Sequence, residues 1–326
     1  MALQDNYGQL SPDRVIDAVE STGFSSDSRI LALNSYENRV YQVGLEDGQA
    51  LVAKFYRPHR WTDEQILEEH QFTLELCALD IPVVPPIAFD AGTLLEHQGY
   101  RFALYERRGG HAPELDNGNH LEVIGRFMGR IHAASRHRIF QHRPAIDIQS
   151  YANDSRDYLL SHDFVPAELI PAYDTITRDI IKHIEHSFAA TEYASIRLHG
   201  DCHPGNILWR DEHAHFVDFD DARNGPAVQD LWMLLSGEHA QRCIQLGDIM
   251  EGYSDFNDFA PKELHLIEPL RAMRLMHYAA WLARRWTDPA FPRNFPWFNT
   301  QRYWAEHVLS LREQLAALDE PVLQWL

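Results

Sequence analysis

Residues Leu198 to Asp220 read LHGDCHPGNILWRDEHAHFVDFD. A carboxylate at Asp201 is followed five positions later by the amide of Asn206, and a second carboxylate, Asp218, sits on the next apolar run. This D-x-x-x-x-N…D spacing matches the catalytic loops of phosphoryl-transfer enzymes. In those loops the first aspartate accepts the proton of the substrate hydroxyl, while the asparagine and second aspartate hold magnesium ions that bridge nucleotide phosphates. Three oxygen-bearing side chains split between a loop and the following strand are hard to explain as packing. The stretch therefore predicts a kinase, with Asp201 and Asp218 catalytic and Asn206 and Asp218 as metal ligands.

Around these residues the local signals are consistent. Pro204-Gly205 predicts a tight turn that aims Asn206 back at the metal. Ile207–Trp209 and His215–Phe219 read as a hairpin that brings Asp218 beside the loop. His199 reads as a structural anchor, and His203 either as a group that stabilises charge on the transferring phosphate or as part of the loop's framework. Asp220 reads as a solvent-facing charge or, alternatively, as a water-mediated contact to a second magnesium. Cys202 reads as a tolerated small residue, although its neighbours could also lower its pKa. Asp230 is expected to begin a helix and to hydrogen-bond the catalytic-loop backbone. No Ser, Thr or Tyr lies between Asp218 and Asp230, so no phosphorylation-controlled activation segment is expected there.

Upstream, Ser11-Pro12-Asp13 predicts a helix start, with Gly23 stopping the helix after Thr22. Arg29–Leu33, Arg39–Val43 and Ala50–Tyr56 read as strands, the last two joined by a turn at Asp47-Gly48. Thr62 with Gln65 forms a capping-box signature for a helix that ends at Asp80-Ile81-Pro82. Two more strands are expected near Thr93–Glu96 and Tyr100–Glu106. Strands, one helix and strands again is the order of a kinase small lobe. Lys54, in the run LVAKFY, needs an anionic partner if it faces inward. Glu68 and Glu69 are both available on the next helix, and Glu69 is favoured for its distance from Leu76. A snorkelling edge lysine is the alternative. No G-x-G-x-x-G precedes Lys54; the turn reads LNSYENRVYQV. Nucleotide contacts there would come from Asn34, Ser35 or Asn38, with Ser35 preferred.

The predicted architecture is α+β: a two-lobed, protein-kinase-like fold. Residues 1–106 would form the nucleotide-binding lobe and residues 107–326 a mainly helical catalytic and substrate lobe, hinged near Glu106–Gly110. Leu121, Ile124, Met128 and Ile131 recur at helical spacing, with Gly125 and Gly129 allowing close approach of another element. A further long helix is expected from about Ala167 to Ala189. PAFPRNFPWF, with three prolines, cannot be a helix interior and reads as a loop over an aromatic core.

Composition narrows the partners. With 326 residues and 45% apolar composition, the chain can bury a large core. A formal net charge of −19 argues against nucleic acid and against adsorption to anionic membranes. No apolar run approaches the ~18 residues that span a bilayer, and MALQDNYGQL lacks the features of a secretory signal. Three scattered cysteines do not make a disulfide framework. A reduced, cytoplasmic setting is expected, and a monomer is compatible with these features.

At HGDCHPGNILW and VDFDDARNGP the chain resembles the aminoglycoside phosphotransferase and choline kinase superfamily. More narrowly, NSYENRVYQV, VAKFYRP, ILEEHQF, DARNGPAVQDLWMLL, EPLRAMRLMHYAAWLARRW and DPAFPRNFPW look like the bacterial stress response kinase A family, from about Ser35 to Trp297. The resemblance implies a cytoplasmic serine/threonine protein kinase that uses ATP and Mg²⁺ and is linked to stress. Carried onto this sequence, Asp201 is the proton acceptor, Asn206 and Asp218 hold magnesium, and Ser35 contacts ATP; Lys54 and Glu69, read above from the residues themselves, are the other candidates for the nucleotide site. A small-molecule alcohol, such as an aminoalcohol or aminoglycoside-like compound, is the alternative acceptor, since an acidic surface suits a cationic substrate. A hydrolytic metal site built from His199, Asp201 and His203, and a catalytically silent nucleotide-binding module, are the readings from other classes.

Overall fold

A computed structural model describes residues 7–325; the first residues of the MALQDNYGQL segment lie outside the described residues. The chain divides into two compact units. One comprises Met1–Glu114, Phe140–Arg143 and His203–Ala222, and the other Leu115–Ile139, Pro144–Cys202 and Arg223–Leu326. This differs from a single break after Glu106. The reason is backbone pairing within the first unit: Trp209 exchanges hydrogen bonds of 3.1 and 2.7 Å with His111, and the Phe216 carbonyl accepts from Val84 at 3.3 Å. The segment after Asn206 is thereby stitched to the earlier strands.

The first unit is built on a five-stranded antiparallel sheet. Its strands are β1 (Ser26–Ala32), β2 (Arg39–Leu45), β3 (Ala50–Phe55), β4 (Leu95–His97) and β5 (Tyr100–Glu106), in the order β1-β2-β3-β5-β4. Helix α1 (Pro12–Glu20) starts where Ser11 accepts from the Arg14 amide, and Gly23 at φ 97° turns the chain after it. Its Val15, Ala18 and Val19 join Val43, Leu51, Phe55 and Leu104 in one core. Helix α2 (Asp63–Ala78) carries the complete capping box between Thr62 and Gln65. Gln98 and Gly99 both have positive φ, which the tight β4–β5 turn requires. The expected hairpin is present as strands Ile207–Arg210 and His213–Phe216. It ends two residues before Asp218 rather than including it.

The second unit is helical. Helix α3 (Gly118–Ser135) is followed by a π-turn at Gln149–Asn153 and then α4 (Asp154–Ser161), α5 (Ile170–Ala190), α6 (Gln229–Trp232), α7 (His239–Tyr253), α8 (Ile267–Arg284), α9 (Ala290–Asn294) and α10 (Gln301–Ala317). Two short strands, Ile196–Leu198 and Arg223–Gly225, pair antiparallel. The glycines of α3 do what their spacing predicts: a Cβ on Gly125 would stand 2.0 Å from the Ile249 carbonyl oxygen, and one on Gly129 2.6 Å from that of Tyr253. Contrary to the loop expected for PAFPRNFPWF, Ala290–Asn294 is helical. Pro292 falls in the first turn, where its missing N–H has no intrahelical partner to lose. Phe291, Phe295 and Phe298 are buried as expected. No helix among the described residues is long and apolar enough to cross a membrane.

Candidate active site

Within the first unit a cavity of about 390 Å³ is lined by residues that include Ser35, Lys54, Glu69, Tyr105, Asn206 and Asp218. Five residues read from the sequence as site residues therefore share one cavity wall. Lys54 reaches it from β3, where its pairing with Val40 on β2 and Ala103 on β5 fixes the direction of the side chain. Asn206 closes the Pro204–Asn206 turn. Its carbonyl accepts from the Val217 amide at 3.0 Å, which sets it beside Asp218. Asp218 itself is left-handed, at φ 59° and ψ 63°. A non-glycine residue held there carries a conformational cost that the surrounding structure must impose, as is common at functional sites.

The charges around Lys54 differ from the expected pairing. Its Nζ lies 3.0 Å from Asp218 Oδ1 and 3.2 Å from Asp220 Oδ1, and makes no ion pair with Glu69. Burial lowers the pKa of the ammonium, but Asp218 and then Asp220 outweigh it and push it well above the ordinary value. Asp220 is also a correction. It is 4% exposed rather than solvent-facing, because Arg60 Nη1 meets its Oδ2 at 2.6 Å. Burial raises its pKa, but Arg60 and Lys54 reverse that and hold it at about 2.

The two candidate glutamates of α2 separate cleanly. Glu68 points to backbone, accepting the amides of Gln141, His142 and Arg143 at 2.5–2.9 Å. Glu69 lines the cavity with its Oε2 buried and without a hydrogen-bond partner. Burial pushes its pKa up to about 7, only partly opposed by Lys54 and Arg143.

The loop before Asn206 belongs to the second unit up to Cys202. There Asp230 accepts from the backbone amides of His199 and Gly200, both at 2.8 Å, as its sequence position suggests. Gln229 donates to the Gly200 carbonyl at 3.0 Å, and Gly200 takes the positive φ that glycine tolerates. Asp230 also meets His132 Nε2 at 3.3 Å, and His132 in turn meets the Tyr253 hydroxyl at 2.9 Å. Asp201 follows this braced backbone, and its Oδ1 accepts from Arg274 Nη1 of α8 at 2.6 Å. His203 caps the Pro204–Asn206 turn by accepting the Gly205 amide at Nδ1. Cys202 is buried against Met128, and burial raises its thiol pKa, the opposite of activation.

Sequence reasoning missed Arg60, Arg143, Arg274 and the buried state of Asp220. Their partners are 73 to 161 residues away, so no local pattern announces them. Among the described residues no group of three His, Cys, Asp or Glu could hold a metal ion, which removes the His199, Asp201 and His203 zinc site. Magnesium fits better. It is bound through one or two protein oxygens plus substrate phosphates rather than by an all-protein cage, and Asn206 with the half-exposed Asp218 carboxylate is a donor set of that kind.

A model of the phosphotransferase enzyme family matches residues 29–267. The chain is 49% identical over 318 residues to stress response kinase A of Escherichia coli (strain K12), covering 98% of this chain and 96% of that protein. It is 48% identical over 325 residues to serine/threonine protein kinase RdoA of Salmonella typhimurium (strain LT2), covering 99% and 98%. Among solved structures, amicoumacin kinase hAmiN in complex with AMP-PNP, Ca²⁺ and Ami aligns with a TM-score of 0.74 at 16% identity, over 98% of this chain and 96% of that one. A microcompartment-associated aminopropanol kinase aligns at 0.68 and 16%, over 93% and 96%. At that identity the two structures establish a shared fold alone.

Proposed function

Because the chain belongs to the stress response kinase A family, within the phosphotransferase enzyme family, we propose that it is an ATP- and magnesium-dependent serine/threonine protein kinase acting in the bacterial cytoplasm under stress. The observation that carries the reading is the single cavity wall shared by Ser35, Lys54, Glu69, Asn206 and Asp218. Asn206 and Asp218 would hold magnesium, which when bound neutralises charge on the phosphates. Lys54 orients the nucleotide phosphates, and Ser35 contacts the nucleotide at the cavity rim. Asp201 accepts the proton of the acceptor hydroxyl as its oxygen forms a bond to the terminal phosphorus and ADP departs. Arg274 orients the Asp201 carboxylate for that step.

The same Arg274 bears on the acceptor. Paired with Arg274 at 2.6 Å, the Asp201 carboxylate offers a cationic alcohol less attraction than a lone carboxylate would. The name of the relative from Salmonella points the same way. The test is purified protein with labelled ATP, Mg²⁺ and a whole-cell extract, with Asp201→Asn as control. Phosphoserine or phosphothreonine formed only by the wild type is expected. Label confined to small metabolites would replace the protein acceptor with a small-molecule hydroxyl.

A further inference from the structure

Lys54 is the cation expected to meet the nucleotide phosphates, so whatever anchors its ammonium governs that encounter. Two carboxylates touch it, and they differ in kind. Asp218 is half-exposed to the cavity and is the residue assigned to the metal, so a bound ion competes for the same oxygens. Asp220 lies behind the cavity wall with its side chain 5% exposed. Its Oδ2 is clamped by Arg60, which also binds Asp221 at 2.8 Å. The Asp220 backbone carbonyl is held by Arg143 Nη1 at 2.6 Å, and that guanidinium is seated 4.5 Å from the Trp61 ring centre. Asp220 is thus fixed through both main chain and side chain. Glu69, on α2, makes no ion pair with Lys54, whereas Asp220 Oδ1 stands 3.2 Å from its ammonium.

From this geometry we infer that Asp220 is the positioning residue of the nucleotide site, holding Lys54 toward the phosphates in place of the helix glutamate Glu69. One carboxylate bridges two cations, Lys54 on one oxygen and Arg60 on the other. When Asp218 engages a metal, Asp220 is the anchor that remains. The inference rests on reading the cavity as a nucleotide site.

The experiment compares affinity for Mg-ATP with affinity for adenosine, which lacks the phosphates that Lys54 would meet. Asp220→Asn and Asp220→Ser are prepared in parallel, and whichever keeps the wild-type Tm is read. The expected result is an ATP affinity lower by about tenfold or more with adenosine affinity unchanged, since a charge-assisted contact is lost. Glu69→Gln should change ATP affinity by less than about threefold. In a Lys54→Ala background the Asp220 substitution should have no further effect on ATP, because both act through one ammonium. Wild-type ATP affinity in the Asp220 variant, an equal loss for adenosine, or a full additional loss without Lys54 would each overturn the role. A wild-type protein that binds no ATP would instead overturn the reading of the cavity, and the inference with it.

Discussion

Two adjacent glutamates, Glu68 and Glu69, show what a single residue's register decides. One step along α2 sends Glu68 to three backbone amides and buries Glu69 in the cavity wall, a difference of about 100° around the helix axis. That Glu69 rather than Glu68 faces the cavity was legible from its spacing to Leu76. Its lack of an ion pair was not, because the cations and carboxylates that decide the matter arrive from distant segments. That Asn206 and Asp218 share a cavity wall was legible because only one short hairpin separates them. Glu69 also carries a pH prediction. Its pKa is about 7 in the folded protein against an ordinary 4.5, so the folded state binds the extra proton between those values. Stability contributed by this group is complete below pH 4.5 and is lost as pH rises through 7, by no more than about 3 kcal/mol. Glu69→Gln cannot titrate, so its Tm relative to wild type should rise between pH 4.5 and pH 8. A gap in Tm that stays constant across that range would contradict the burial of an uncompensated carboxyl.

Elements were read most reliably where caps and glycines mark them. The α1 start, the α2 capping box, the β4–β5 turn and the close face of α3 all follow from local chemistry. Errors fall where local rules compete, as in α9, whose proline is tolerated in a first turn although it would break a longer helix. The close packing of α3 on α7 makes a firm prediction. Gly125→Ala would place a methyl group 2.0 Å from the Ile249 carbonyl oxygen. The helices must then separate, at a cost of about 1–3 kcal/mol or more. Chemical denaturation should show a lower midpoint with an unchanged slope. The same substitution at Gly23 meets no atom within 4 Å, and its cost there should come from the positive φ alone, roughly 1 kcal/mol. Equal losses at the two sites would contradict the packing account.

At the scale of the molecule, the sequence led to the right class, α+β with an antiparallel sheet in one unit and helices in the other. The division of the chain was less legible, because units are assembled by contact rather than by chain order. The stretch His203–Ala222 joins a unit formed mostly by residues before 115, through backbone pairs with His111 and with the segment from Pro82 to Val84 that no local signal reveals. In the proposed reaction Asp201 takes a proton from the acceptor and holds neither nucleotide nor metal, so binding and transfer should respond separately to its substitution. The most direct test measures both on Asp201→Asn: Mg-ATP affinity by calorimetry and phosphate transfer to protein with labelled ATP. The expected result is wild-type affinity with transfer reduced by about a thousandfold. Undiminished transfer, or loss of Mg-ATP binding along with it, would contradict the assignment of Asp201 as the base.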